Sequence, residues 1–140
     1  MNHPTCTRRL EFDAAHRITR HGSKCRNLHG HRYVVELTAR ATELDGLGMV
    51  IDFGVLKAVV GAWIDEALDH GAILNQADDD LIALTRANGW KLYVVPFEPT
   101  AENLAHLIRD EAARLLADAD YLVEVVHVRV YETPNCWADA

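Results

Sequence analysis

Cys25, His29 and His31 fall within seven positions of one another, and His16 precedes Cys25 by nine. Histidines at i and i+2 on an extended strand point to the same side and lie roughly 6.5–7 Å apart along it. Two such imidazoles can converge on one ion. His16 ends a run in which Leu10, Phe12 and Ala14 alternate with Arg9, Glu11 and Asp13. If that run forms a hairpin with the strand carrying His29 and His31, three neutral imidazoles meet. Three imidazoles and one open position are the coordination of a catalytic zinc, although imidazole also accepts other first-row metals. Any one of these histidines alone reads more plainly, as a half-buried polar group at a strand end. The metal reading rests on the set.

Three further residues invite chemistry. Cys25 lies between Lys24 and Arg26, and neighbouring cations favour the reactive thiolate. It reads as a fourth ligand closing a structural zinc site, as a nucleophile or as a general base. Asp69 and His70 end a helical run. The negative end of a helix dipole favours protonated His, and an adjacent carboxylate can orient a proton carrier; the plainer alternative is a His-Gly helix stop. Glu132 follows Val126, Val128 and Val130 on what reads as an apolar strand face. A buried carboxylate there needs partners, and a flat ligand edge with two N–H donors would satisfy it. Alternatively the strand has already ended, because Thr133, Pro134 and Asn135 follow, and Glu132 is solvated. His3, His21, His106 and His127 read as ordinary, as do Cys6 and Cys136.

The elements that must position these groups follow from periodicity. Strands are expected over 8–16 and 29–41, with a polar loop over 19–27. The even positions of the first strand and the odd positions of the second form the apolar faces. Asp52 is suited to cap a helix over 53–69 with Gly71 as its stop. A shorter helix is expected over 78–87, a short strand over 91–95, and a helix over 101–117 capped by Thr100. A last strand is expected over 121–132, its even positions facing inward. This order gives an α+β fold, a mostly antiparallel sheet with helices on one face.

Composition narrows the class. The chain has 140 residues and no linker-like segment, so one domain over 1–140 is expected. Fourteen basic against 21 acidic side chains leave a net charge of −7, which argues against nucleic acid or an anionic membrane surface as partner. No apolar run approaches a membrane span, and the first residues lack the apolar stretch of a secretory signal. Three widely spaced cysteines make no disulfide framework. A cytoplasmic protein is the expectation.

Seven runs occur in an informative order: Phe12-Asp13-Ala14-Ala15-His16, Cys25 with His29-Gly30-His31, Met49-Val50-Ile51-Asp52-Phe53-Gly54, Asp69-His70, Leu74-Asn75, Pro99-Thr100-Ala101-Glu102-Asn103-Leu104, and Glu132-Thr133-Pro134. Together they resemble the 6-pyruvoyl-tetrahydropterin synthase family, and more narrowly its bacterial branch, the 6-carboxy-5,6,7,8-tetrahydropterin synthases of queuosine biosynthesis. The three residues between Cys25 and His29 resemble that branch, whereas five are typical of the pyruvoyl-forming enzymes of animals.

The resemblance implies a tunnelling fold, in which subunit sheets stand side by side to close an oligomeric barrel, with a homohexamer expected. It implies Zn2+ on His16, His29 and His31, Cys25 as catalytic cysteine, Asp69 and His70 as proton relay, and Glu132 as pterin anchor and member of the relay. Thr100 matches a pterin contact made across a subunit interface. The implied activity is that of a carbon–carbon lyase. It would convert 7,8-dihydroneopterin triphosphate and water to 6-carboxy-tetrahydropterin, acetaldehyde and triphosphate. A pyruvoyl-forming synthase that stops before carbon–carbon cleavage is the alternative, and a non-catalytic zinc or pterin binder is a third reading. Lys24, Arg26 and Arg17 are candidates to hold the triphosphate. Asp13 and Arg32 depart from the family pattern, where Ser and Asn or Ser are common, and the 78–95 segment is longer than in compact members.

Overall fold

The structure is a computed structural model and describes residues 2–140. Its elements in chain order are β1 (Thr5–His16), a 3-10 turn (Lys24–Arg26), β2 (His29–Arg40), α1 (Phe53–Leu56), a π turn (Lys57–Gly61), α2 (Ala62–Ala67), β3 (Gly71–Asn75), α3 (Asp79–Ala87), β4 (Leu92–Val95), α4 (Ala101–Asp118), β5 (Glu124–Thr133) and β6 (Cys136–Asp139). The six strands form one sheet in the order β4-β3-β1-β2-β5-β6.

β1 and β2 pair antiparallel without interruption, from Thr5 opposite Arg40 to His16 opposite His29. Alternation of apolar and polar side chains, broken mainly by Val34, fixes this register, because a one-residue slip would turn the buried apolar set outward. Leu10, Phe12, Ala14 and His16 of β1 and Tyr33, Val35, Leu37 and Ala39 of β2 are buried on one face. Leu56, Val60 and Ile64 from the α1–α2 segment and Leu104, Ile108 and Leu116 from α4 join them in the core. Each such side chain contributes about 1.5–3 kcal/mol of burial.

The α+β reading therefore holds, but the sheet is mixed rather than antiparallel. β3 runs parallel to β1, and β4 parallel to β3. The reason is topological: β3 and β4 are each reached through helices, which return the chain in the same direction. Two strands were not expected from the sequence. β3 is a short buried apolar run, which periodicity alone cannot separate from a helix end. β6 pairs with β5 beyond the turn at Thr133–Cys136.

The first long helical segment ends at Ala67 rather than at residue 69. His70, not a glycine, takes the left-handed conformation that stops it, with φ 61°. Gly71 serves β3 instead, where a Cβ would lie 3.3 Å from the Leu68 carbonyl oxygen and 3.1 Å from Lys91 Cγ. Lys91 Nζ donates to the carbonyls of Asp65 and Asp69, closing the frayed end.

β5 begins at Glu124 rather than 121. A bulge shifts its register between the pairs Thr38–His127 and Ala39–Val125. Val125 is thereby buried in place of Val126, which is only half-buried, as expected for one extra residue in a strand.

Asp78 does not cap α3 with its side chain. Its buried carboxylate instead takes a bidentate bond from Arg17, at 2.7 and 2.8 Å. Removing Arg17 would strand a buried charge, which costs about 3–5 kcal/mol when both partners are buried. The Arg17 side chain is 35% exposed, so Arg17→Ala should destabilise by less than that but by clearly more than the ~0–1 kcal/mol of a surface pair. Urea denaturation measures it, and a loss within the surface-pair range would show that the pair does not anchor α3.

Candidate metal centre

The β1–β2 register places His16 opposite His29 and Ala14 opposite His31. All three imidazoles lie on the core face, and one ring nitrogen from each falls within 4.8 Å of the other two. Gly30, between the two strand histidines, leaves little room on the opposite face: a Cβ there would lie 3.2 Å from the Ala14 carbonyl oxygen.

Ring orientation is set by backbone carbonyls. His16 Nδ1 lies 2.7 Å from the Pro99 oxygen, and His29 Nδ1 lies 2.7 Å from the Asn27 oxygen. A carbonyl oxygen only accepts, so each Nδ1 carries the proton and, in a neutral ring, each Nε2 presents a lone pair. Those two Nε2 atoms stand 3.2 Å apart. Two acceptors at that distance repel unless a cation lies between them. A tetrahedral zinc with ~2.0–2.1 Å bonds would hold such nitrogens ~3.3 Å apart. His31 Nε2 is buried and has no partner among the described residues. A polar atom of this kind, beside two nitrogens already oriented by second-sphere bonds, fits a divalent ion.

Electrostatics agree with ligand chemistry. Burial pushes His16 down to about 4, against a smaller upward effect of its bond to Pro99, while His29 and His31 push it further down. His31 is likewise lowered by burial and by His29, although the Glu132 charge opposes the shift. Neutral imidazoles are the metal-binding form.

Glu132 closes the group. One carboxylate oxygen is 3.8 Å from His16 Nε2 and the other 3.8 Å from His31 Nε2, with the side chain 26% exposed. The solvated reading of Glu132 is thus replaced by one in which it faces the imidazoles. β5 continues to Thr133, so alternation after the buried Val128 and Val130 puts Glu132 on the core face, where the β5–β6 pairing is irregular. Behind it Tyr33 is fully buried, its ring edge-on to His16 and His31 at 5.8 and 5.5 Å. Burial and the Glu132 charge both push its phenol up, so it remains a neutral donor.

Cys25, His29, His31 and Glu132 line one cavity of about 490 Å3, with Lys24 and Cys136 on its walls. Cys136, read as ordinary from the sequence, belongs to this cavity because β6 folds back beside β5. The hairpin signal in Thr133-Pro134-Asn135 could have placed it there.

Asp69 and His70 are brought together but lie elsewhere. Asp69 Oδ2 is 2.8 Å from His70 Nδ1, and Asp69 Oδ1 accepts from the Asp13 N–H at 2.9 Å. The His70 N–H in turn donates to the Asp13 carbonyl at 2.7 Å. Burial raises the Asp69 carboxyl, but the bonds from Asp13 and His70 and the charges of His70 and Lys91 outweigh it and hold it below the ordinary range. His70 lines a second cavity, of about 480 Å3, with Asp13, Gly30, His31 and Arg32. Asp13 and Arg32 belong to the strand face opposite the core. They pair with each other at 2.9 Å, so the two departures from the family pattern compensate one another in charge. Thr100 caps α4, its hydroxyl accepting from the Asn103 N–H, one residue beyond the carbonyl that orients His16. Arg17 is committed to Asp78 and drops out as an anion-binding candidate.

A sheet with its helices on one side, an imidazole triad at the end of a hairpin and a carboxylate across from it define an α+β scaffold carrying a candidate metal centre. The family model described as 6-pyruvoyl tetrahydropterin synthase matches residues 5–140, and the chain belongs to that family. A relative from Rickettsia felis, named 6-carboxy-5,6,7,8-tetrahydropterin synthase, is 46% identical over 136 residues, covering 96% of this chain and 97% of the relative. One of the same name from Haemophilus influenzae is 30% identical, covering 95% of each. Among solved structures, 6-pyruvoyl tetrahydropterin synthase from Caenorhabditis elegans superimposes with a TM-score of 0.71 at 24% identity, over 100% of this chain and 96% of that one. An uncharacterized protein from Wolinella succinogenes gives 0.84 at 23%, over 100% and 98%. No helix among the described residues is long and apolar enough to cross a membrane.

The depressed His16 predicts a pH effect in metal-free protein. Unfolded, the imidazole titrates near 6.5; folded, near 4. Between those values the unfolded chain binds more protons, so stability falls as pH drops through that window. The urea midpoint in chelator should be lower at pH 5 than at pH 7. At pH 7, zinc at 100 times its Kd should add about 2.7 kcal/mol, and His29→Ala should remove that increment. A zinc-independent midpoint in the unaltered protein would refute the centre.

Proposed function

We propose that this protein is a zinc-dependent 6-carboxy-5,6,7,8-tetrahydropterin synthase, a single domain over 1–140 that serves queuosine synthesis in the cytoplasm. The reading is supported above all by the His16–His29–His31 triad and by the cavity that two of those imidazoles share with Cys25 and Glu132, in a chain 46% identical to relatives of that name. The substrate is 7,8-dihydroneopterin triphosphate, converted with water to 6-carboxy-tetrahydropterin, acetaldehyde and triphosphate.

His16, His29 and His31 would hold the ion, which when bound supplies Lewis acidity to the side-chain oxygens. Glu132 accepts from the amino and ring N–H groups of the pterin and fixes its distance from the triad. Cys25, on the wall of the same cavity, takes a proton from a side-chain carbon. His70, oriented by Asp69 at 2.8 Å, carries protons on the opposite side of the substrate, with Glu132 able to join the relay. Lys24 on the cavity wall, with Arg26 next along the chain, meets the triphosphate. Thr100 contributes a contact across a subunit boundary.

Within one chain His70 and Cys25 line different cavities. The proposal therefore includes an oligomer, a homohexamer whose sheets close a barrel, in which a neighbouring copy completes each site. Mixing tests this directly. Cys25→Ala and His70→Ala proteins should each lack turnover, and co-assembled mixtures should regain part of it. Mixtures as inactive as their parents, despite verified co-assembly, would place the whole catalytic set in one chain.

Product identity separates this reading from a pyruvoyl-forming synthase. Incubation of the zinc-loaded protein with dihydroneopterin triphosphate should release acetaldehyde in step with the carboxy product. Cys25→Ala should retain one zinc per chain while losing at least about 100-fold in rate. Loss of zinc in that variant would make Cys25 a ligand, and a pyruvoyl product without acetaldehyde would favour the alternative.

A further inference from the structure

Tyr33 is 0% exposed, and its hydroxyl has no hydrogen-bond partner among the described residues. Leaving a buried hydroxyl unpaired is costly, and phenylalanine at this position would fill the same space without that cost. Packing alone thus accounts for the ring but not for the oxygen. The ring stacks on Phe12, with centroids 4.9 Å apart, and meets the edges of His16 and His31.

Strand register places Tyr33 on the glutamate side of the centre. β2 and β5 pair Val34 with Tyr131, so the next position along each strand sets Tyr33 beside Glu132. The second orphaned buried atom among the described residues is His31 Nε2, on the residue two positions before Tyr33 on the same face of β2. Both unsatisfied groups thus belong to neighbouring residues on one face of β2, whose ring centroids lie 5.5 Å apart, beside a carboxylate 3.8 Å from two of the imidazoles.

We infer that Tyr33 is a positioning residue of the metal centre, its hydroxyl donating to an oxygen acceptor on the Glu132 side of the triad when an ion is bound. The inference rests on the metal reading of the triad and extends it to a residue beyond the ligands. Outer-sphere donors of this kind typically change metal affinity by 10–100-fold. A donor whose acceptor is in place only with the ion has a thermodynamic signature. Its removal costs nothing in the metal-free fold and weakens the loaded one.

Tyr33→Phe tests this through two measurements besides turnover, urea unfolding in chelator and zinc affinity by competition with a chromophoric chelator. The metal-free midpoint should be unchanged or higher, and zinc should bind at least about 10-fold more weakly at unchanged stoichiometry. Wild-type zinc affinity in the variant would overturn the inference while leaving the centre intact. An equal loss of stability with and without zinc would also overturn it, since the hydroxyl would then be bonded in the metal-free fold. Failure of the unaltered protein to bind zinc would remove the metal reading itself.

Discussion

The pairing of His16 with His29 across the β1–β2 hairpin is the contact on which the rest of this molecule turns. Two lone pairs at 3.2 Å oppose each other, and the fold holds them there through a long antiparallel ladder and a stacked Phe12–Tyr33 pair beneath it. Strand side chains alternate strictly, so this register leaves no intermediate arrangement. Shifted by one residue, the imidazoles would leave the core face together with the apolar residues that pin the sheet to its helices. Stability of the core and assembly of the triad are consequences of one register, which is why a polar cluster can persist at the edge of an apolar core.

The helices contribute by orientation. α4 is capped at Thr100, and the carbonyl just before that cap is the one that fixes the His16 ring. The start of a long core helix and the tautomer of a proposed ligand histidine are therefore coupled through two adjacent residues. The 3-10 turn at Lys24–Arg26 has a parallel role. Ile18 donates to the Cys25 carbonyl at 2.8 Å, tying the cysteine loop back to the end of β1, and Asn27 just beyond supplies the carbonyl that orients His29.

Much of this was legible in the sequence because it depends on local period. Alternation in β1 and β2, the helical spacing before Leu68, and the Thr100 cap were read from residue order, and the triad follows from two of those strands meeting. What escaped depends on partners distant in the chain. β3 is too short for its period to decide its state, and it becomes a strand because β1 and β4 offer edges on both sides. The bulge in β5 reflects its pairing with β2, so the assignment of Val126 to the core failed there. Glu132 could be read as solvated or as facing a ligand. The continuation of β5 to Thr133 decides it, because alternation after Val128 and Val130 then turns Glu132 toward the imidazoles. Arg17 looked available for an anion because Asp78, its partner at 2.7 Å, lies 61 residues away.

The sheet also divides the chemistry. Imidazoles, Cys25 and Glu132 gather on the side of the helices, where burial keeps His16 neutral, while Asp69 and His70 are held through Asp13, on the strand with His16 but facing the other way. A single backbone segment thus presents a proposed metal ligand to one side and, three residues earlier, supports a charged dyad on the other. The environments these groups need are opposed. His16 is buried and kept neutral, whereas a proton carrier must reach solvent or substrate, and the His70 side chain is 75% exposed. Their separation across the sheet gives each set its own environment, and it is the feature on which the proposed completion of each site by a neighbouring copy rests.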